Sequence, residues 1–188
     1  MKLVLLGASG SGKGTQGVVV ARHLGVPHVS SGELLRAQVA AGSDLGRQVA
    51  GCIARGELVP DDLVLSVVGN ALTGAVKAGG YVLDGIPRTV AQAELAYALA
   101  EPAGLVADAV LYLDVPDDVA RERLAGRIGT GRADDANQTV IERRLEIFHT
   151  DTEPLLDFYR ERGILMTIDA VPPVPTVSSA ILRALSST

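Results

Sequence analysis

The stretch GASGSGKGTQ, residues 7–16, is spaced to hold phosphate. Gly7, Gly12 and Lys13 are in register with the phosphate-loop pattern G-x-x-x-x-G-K-[ST]. Glycines let the backbone curl until several N–H groups point at one anion. A helix that starts there adds its positive end, and Lys13 brings a mobile cation for the outer phosphates. The hydroxyl that binds Mg2+ in that pattern is displaced: Gly14 stands in its place and Thr15 follows one residue late. Mg2+ is then held more by phosphates and water than by the loop, and Thr15 is left to reach an α-phosphate oxygen. A strand and turn with no ligand is the alternative. Arg36 and Arg88 suit a second phosphate, because the planar guanidinium pairs with phosphate through two hydrogen bonds. For Arg36 a surface helix position is the plainer reading. Asp84 closes an apolar run; a carboxylate there orients Mg2+-bound water or merely caps the turn at Gly85. Of the 17 Lys and Arg, six are Arg between positions 121 and 144, a concentration that suits a polyanion or, for Arg121 and Arg143, a solvated helix face.

These residues need a scaffold, and the chain spells one out. KLVLLG, VPHVS, YVLDG, DAVLYLDV and ILMTIDA are short apolar runs that read as strands. Between them lie helical stretches: residues 13–24, a helix capped by Ser30 or Ser31 and ending at Gly42, another stopping near Gly56, and one from a candidate cap at Asp61 to Gly79 and Gly80. Further helices follow Thr89 and Pro116. A long helical stretch over residues 139–162 should kink or break at Pro154, and a terminal helix carries Pro175 near its start. IGTGRADDANQ has no apolar period and reads as a loop or flap. Strands alternating with helices predict an α/β fold, a parallel sheet covered on both faces. Ligands of such sheets bind at the carboxyl ends of the strands. That rule gathers the loops at residues 7–13, 30–32 and 85–88 on one edge.

The bulk properties narrow the function classes. A length of 188 residues suits one domain. A net charge of −5 argues against nucleic acid as a general partner, and no run reaches the roughly 18 apolar residues of a membrane span. The apolar run at residues 3–6 is too short for the core of a signal peptide. With one cysteine, Cys52, no internal disulfide and no cysteine-rich zinc site can form. The expected setting is the cytoplasm, with no membrane partner. His23, His28, His149 and Cys52 are scattered and read as structural.

Four ordered motifs carry a resemblance over essentially the whole chain. They are GASGSGKGTQ, SSGELLR at 30–36, GELVPDDLV at 56–64 and YVLDGIPRTVAQ at 81–92, followed by GRADDANQTVIERRL and TEPLLDFY. Together they resemble the adenylate kinases, within the nucleoside monophosphate kinases, in their short-lid form. In that family the loop reads G-K-G-T, so Gly14 is its normal version. The resemblance implies a P-loop three-layer sandwich whose five-stranded parallel sheet runs in the order 2-3-1-4-5. It implies one domain over residues 1–188, with an acceptor-binding flap at about 30–59 and a short lid at about 126–136. ATP falls to Gly10, Ser11, Gly12, Lys13, Gly14, Thr15, Arg123, Arg127 and Pro172. AMP falls to Ser31, Arg36, Glu57, Leu58, Val59, Gly85, Ile86, Pro87, Arg88, Gln92, Arg132 and Arg144, with Gln92 reading the adenine edge. Lys13, Arg88, Arg123, Arg132 and Arg144 are the implied catalytic set, and Asp84 the Mg2+ residue through water. Asp134 and Asp135 brace the lid or form a solvated charge run. Only residues 128–131 separate Arg127 from Arg132, too few for a zinc lid.

The implied reaction is Mg-ATP + AMP ⇌ 2 ADP, with ATP, AMP and ADP as partners and a monomer as the expected state. The acceptor phosphate is mostly dianionic at neutral pH, so it needs no general base, and no catalytic histidine is in view. A UMP/CMP kinase shares the loop and the short lid, but Thr89 after Arg88 favours AMP, where the pyrimidine enzymes usually have Asn. A non-catalytic nucleotide-sensing module would be expected to lose Lys13 or several arginines. A kinase acting on hydroxyl groups would need a base beside the acceptor. Two departures stand out. Ser9 replaces a frequent Pro and should loosen the loop. Ile86 replaces a common aromatic and should weaken packing beside the AMP pocket.

Overall fold

The computed structural model describes residues 1–127 and 137–186. Strand β1 (Lys2–Leu6) and strand β3 (Tyr81–Asp84) are unbroken apolar runs, and both are buried almost throughout, as parallel strands covered on two faces must be. Strands β2 (His28–Ser30), β4 (Ala109–Asp114) and β5 (Leu165–Asp169) complete one sheet in the order β2-β3-β1-β4-β5, every pairing parallel. This is the expected P-loop order. Successive side chains of a strand point to opposite faces. Leu3 and Leu5 therefore join one buried cluster with Val82, Leu111, Leu113, Ile141 and Ile181. Val4 and Leu6 join the other, with Val29, Leu83, Val110 and Leu155.

Helix α1 (Lys13–Leu24) begins at the glycine loop and packs against the terminal helix α9 (Val174–Ser186) and the sheet. Ser30 caps helix α2 (Ser31–Ala40) by accepting from the N–H of Glu33 at 3.4 Å. Ser43 caps helix α3 (Asp44–Arg55) in the same way, and Gly56 ends it in the left-handed conformation. Helix α5 (Val90–Ala100) is capped by Thr89, and helix α6 (Asp117–Ala125) opens with two acidic residues, as the helix dipole favours.

Two expectations are refined. Helix α4 (Asp61–Lys77) has Pro60 at its cap and Asp61 as its first helical residue. Pro60 fits there because its missing N–H would be unbonded anyway, and the Asp61 carboxylate is engaged elsewhere. The stretch expected over residues 139–162 is three pieces: helix α7 (Gln138–Ile147), a wide π-turn (Phe148–Thr152) and helix α8 (Leu155–Glu161). Pro154 has no N–H to donate one turn back, and the chain widens there instead, with the Glu153 N–H reaching the Phe148 carbonyl at 2.7 Å.

Candidate active site

The glycine loop lies between β1 and α1, at the carboxyl edge of the sheet, where its sequence context put it. The Ser11 N–H donates to the Ala8 carbonyl at 3.1 Å across Ser9, so the turn is closed with Ser9 in it. Gly10 has φ +88, and a Cβ there would stand 2.5 Å from the Ala120 carbonyl. No L-side chain fits both constraints. The Lys13 ammonium bends back over the loop, donating to the carbonyls of Gly7 at 2.7 Å and Ala8 at 2.9 Å. Ser11 Oγ is buried with no hydrogen-bond partner among the described residues. A buried hydroxyl of that kind is costly unless a ligand or water serves it.

Three cavities run together above the strand ends. The central one, about 340 Å3, is lined by Lys13, Gly14, Asp84, Pro87 and four arginines: Arg36, Arg88, Arg127 and Arg144. It shares Gly32, Arg36, Gly85, Arg88 and Arg144 with a pocket on one side. That pocket is walled by Ser31, Glu57, Leu58, Val59, Ile86 and Gln92. The central cavity shares Gly10, Gly12, Thr15 and Arg127 with a pocket on the other side. This one also holds Ser11, Arg123 and Pro172. Every expected ATP and AMP residue among the described ones therefore lines one continuous cleft. Arg132 falls outside the described residues. So do Asp134, Asp135, nearly all of the expected lid and the reading of that lid as zinc-free.

Each side chain is held by its element. Gly85 has φ +86, and a Cβ there would meet Ser31 Oγ at 2.4 Å, so glycine lets the α2 start and the β3 end close up. Arg88 Nε donates to the Gly85 carbonyl at 2.9 Å, and the Thr152 hydroxyl donates to the Arg88 carbonyl at 2.9 Å. Ile86 is 8% exposed, belongs to a core cluster and lines the pocket, so the aliphatic side chain is packed where an aromatic is common. Arg123 sits apart from the central cavity; its Nη2 donates to the carbonyls of Ala170 at 3.0 Å and Val171 at 2.9 Å, between β5 and α9.

The field in the cleft is positive. Burial pushes the Lys13 ammonium down to about 8, and Arg88, Arg144 and Arg127 push the same way, while Asp84 opposes them. Cations that disfavour one another's charge around a shared space are arranged for an anion. Asp84, 8% exposed, is the acidic group at the strand end, and a Cβ at Gly14 would stand 3.9 Å from its Oδ2. No group of three or more His, Cys, Asp or Glu able to hold a metal occurs among the described residues.

The adenylate kinase family model matches residues 5–164. A protein named adenylate kinase from Stenotrophomonas maltophilia is 44% identical over 98% of this chain and 99% of its own length. Others of that name are similar throughout: 43% identity in Xanthomonas oryzae, over 98% of this chain and 99% of that one, and 36% in Streptomyces griseus, over 100% and 98%. The chain belongs to the adenylate kinase family. It is a phosphotransferase of the nucleoside monophosphate kinase class.

The adenylate kinase cleft also contains residues to which the motifs assigned no role. Gln16, 2% exposed, crosses from α1 to α9: its Nε2 donates to the Val174 carbonyl at 3.1 Å, and the Ser178 hydroxyl donates to its Oε1 at 2.7 Å. It stands inside GASGSGKGTQ, yet only the tertiary contact gives it work. Leu35, Ile53 and Val64 line the pocket walled by Ser31 and Gln92; they read in sequence as ordinary helix positions. Among the described residues no helix is long and apolar enough to cross a membrane.

Proposed function

We propose that this chain transfers the terminal phosphoryl group of Mg-ATP to AMP, giving two ADP, reversibly. The observation that carries this reading is the continuous cleft: two recesses, one on each side, meet at a centre lined by Lys13, Arg36, Arg88, Arg127 and Arg144. Two polyanions brought head to head need such a centre, because their phosphates repel. The loop side takes ATP, with Gly10, Ser11, Gly12, Lys13, Gly14 and Thr15 on its phosphates, Arg123 and Arg127 closing over the transferred group, and Pro172 on the same side. The Ser31–Gln92 side takes AMP. In this reading residues 30–59 and 126–136 are the two closing segments of a single domain, a design that keeps water, the competing acceptor, out of the site.

An AMP phosphate oxygen attacks the γ-phosphorus of ATP in line, forming one P–O bond as the bond to the β-phosphate oxygen breaks, and ADP leaves. No proton has to be removed from a dianionic acceptor. Rate enhancement comes from holding the two phosphates aligned and from countering charge on the equatorial oxygens. Lys13 exchanges the Gly7 and Ala8 carbonyls for phosphate, Arg88 and Arg144 bridge acceptor and transferred group, and Arg123 joins by releasing the Ala170 and Val171 carbonyls. Arg132 completes the catalytic set.

Mg2+ enters with ATP. A single buried carboxylate, Asp84, beside a loop with no hydroxyl at Gly14, fits an ion carried by phosphate oxygens and water and not a cage built of protein ligands. When bound, the ion neutralises charge on the β- and γ-phosphates. One chain supplies both pockets, which supports a monomer, and the reducing setting suggested by a single cysteine supports the cytoplasm. Side-by-side phosphorylation of AMP, CMP, UMP and GMP tests the reading: AMP should lead, and preference for CMP or UMP would replace it with a pyrimidine kinase.

A further inference from the structure

Gln92 is held at both ends of its amide. Its Oε1 accepts the backbone N–H of Arg88 at 2.7 Å, and its Nε2 donates to the Asp61 carboxylate at 2.5 Å. The Thr89 hydroxyl caps the same turn by accepting the Gln92 N–H at 3.2 Å. The two partners have opposite polarity. A backbone N–H only donates and a carboxylate only accepts. Turning the amide over would set an NH2 against an N–H and an oxygen against a carboxylate, so the amide has one permitted orientation. What remains for the pocket is one lone pair on Oε1 and one hydrogen on Nε2.

Purines differ at the edge those two groups can meet. Adenine offers a 6-amino donor beside the N1 acceptor; hypoxanthine offers an O6 acceptor beside an N1–H donor, the reverse pattern. A freely turning glutamine would serve both. We propose that Asp61 is a specificity-determining positioning residue: by fixing the orientation of the Gln92 amide it admits adenine and rejects 6-oxopurines. This rests on the reading of the pocket as the acceptor-nucleoside site. The elements place the group well, since Asp61 is the first residue of α4 and its carboxylate meets Gln92 in the first turn of α5.

The test compares AMP and IMP as acceptors, with ATP as donor, in the wild-type chain and in Asp61→Asn, Asp61→Glu and Gln92→Leu. Asparagine can turn its own amide and accept either orientation of Gln92, leaving only the Arg88 N–H to resist. The AMP-over-IMP ratio of kcat/KM should fall about tenfold in Asp61→Asn, through a lower KM for IMP and a higher KM for AMP, and not through kcat. Asp61→Glu, still an acceptor only, should restore most of the ratio, and Gln92→Leu should lose it. An unchanged ratio in Asp61→Asn overturns the proposal. So does an equal loss with both acceptors, which would make Asp61 merely structural. The wild-type arm reports separately on the acceptor reading: poor phosphorylation of AMP beside CMP or UMP would remove that reading and this one with it.

Discussion

Lys13 serves the folded chain through the loop carbonyls and, in the proposed reaction, would serve a phosphate in turn. Its ammonium rests on the Gly7 and Ala8 carbonyls while burial and the neighbouring arginines lower its pKa to about 8. The sign of the consequence follows. Below pH 8 Lys13 is charged in the free protein and adds no pH dependence; above it, ATP binding must take up a proton. The ATP affinity should therefore fall as pH rises through about 8, approaching tenfold per unit, and Lys13→Met should lose that slope. Titration calorimetry between pH 7 and 9.5 checks it, and a flat profile in the wild type would count against Lys13 as the phosphate cation. Arg88 makes a second residue-level case. Arg88→Ala should lower turnover by about two to three orders of magnitude with the fold intact by circular dichroism. Both residues were legible in sequence because glycine spacing and the Gly-Ile-Pro-Arg turn mark them. Asp61 was not. As a sequence position it looks like a helix cap, and its bond to Gln92 spans 31 residues.

At the scale of elements, the strand-loop-helix unit around residues 7–16 is locally encoded, and so are the helix starts at Ser30, Ser43 and Thr89. Capping is short-range chemistry, visible in three or four residues. The break in the stretch over residues 139–162 was legible at Pro154, but its form was not. A π-turn depends on where Thr152 and Phe148 must sit against Arg88 and the core, which no local pattern records. The join between α1 and α9 is likewise tertiary. Gln16 and Ser178 tie the loop helix to the segment holding Pro172 and Val174 at the end of the cleft proposed for ATP. Gln16→Leu should raise the KM for ATP several-fold while leaving the KM for AMP near its wild-type value. Lost buried hydrogen bonds should also cost about 1–2 kcal/mol of stability. Steady-state kinetics with each substrate varied, and a urea titration, separate the two effects; equal rises in both KM values would show that Gln16 only supports the fold.

Across the whole molecule, the sheet order and the helices on both faces put three loops at one edge, and the cleft follows from that placement. The parallel sheet and the gathering of those loops were readable from apolar runs alternating with helical stretches, whereas the strand order came only with the family resemblance. How α7 meets the end of α3 was not: a Cβ at Gly56 would stand 2.9 Å from Arg144 Cγ, a contact between segments far apart in sequence. A cleft that takes two nucleotides at once should bind one molecule spanning both pockets. An analogue with two adenosines joined through five phosphates, at a hundred times its Kd, should stabilise the chain by about 2.7 kcal/mol, or about 5–10 °C in Tm. AMP added afterwards should raise Tm no further. The most direct test of the central claim is ADP formation from ATP with AMP, CMP, UMP or GMP, against ATP alone. Two ADP per AMP consumed, AMP the best acceptor, and hydrolysis of ATP alone lower by orders of magnitude is the predicted result. ATP bound in the cleft with no ADP formed on adding AMP, or a faster reaction with CMP or UMP, would contradict it.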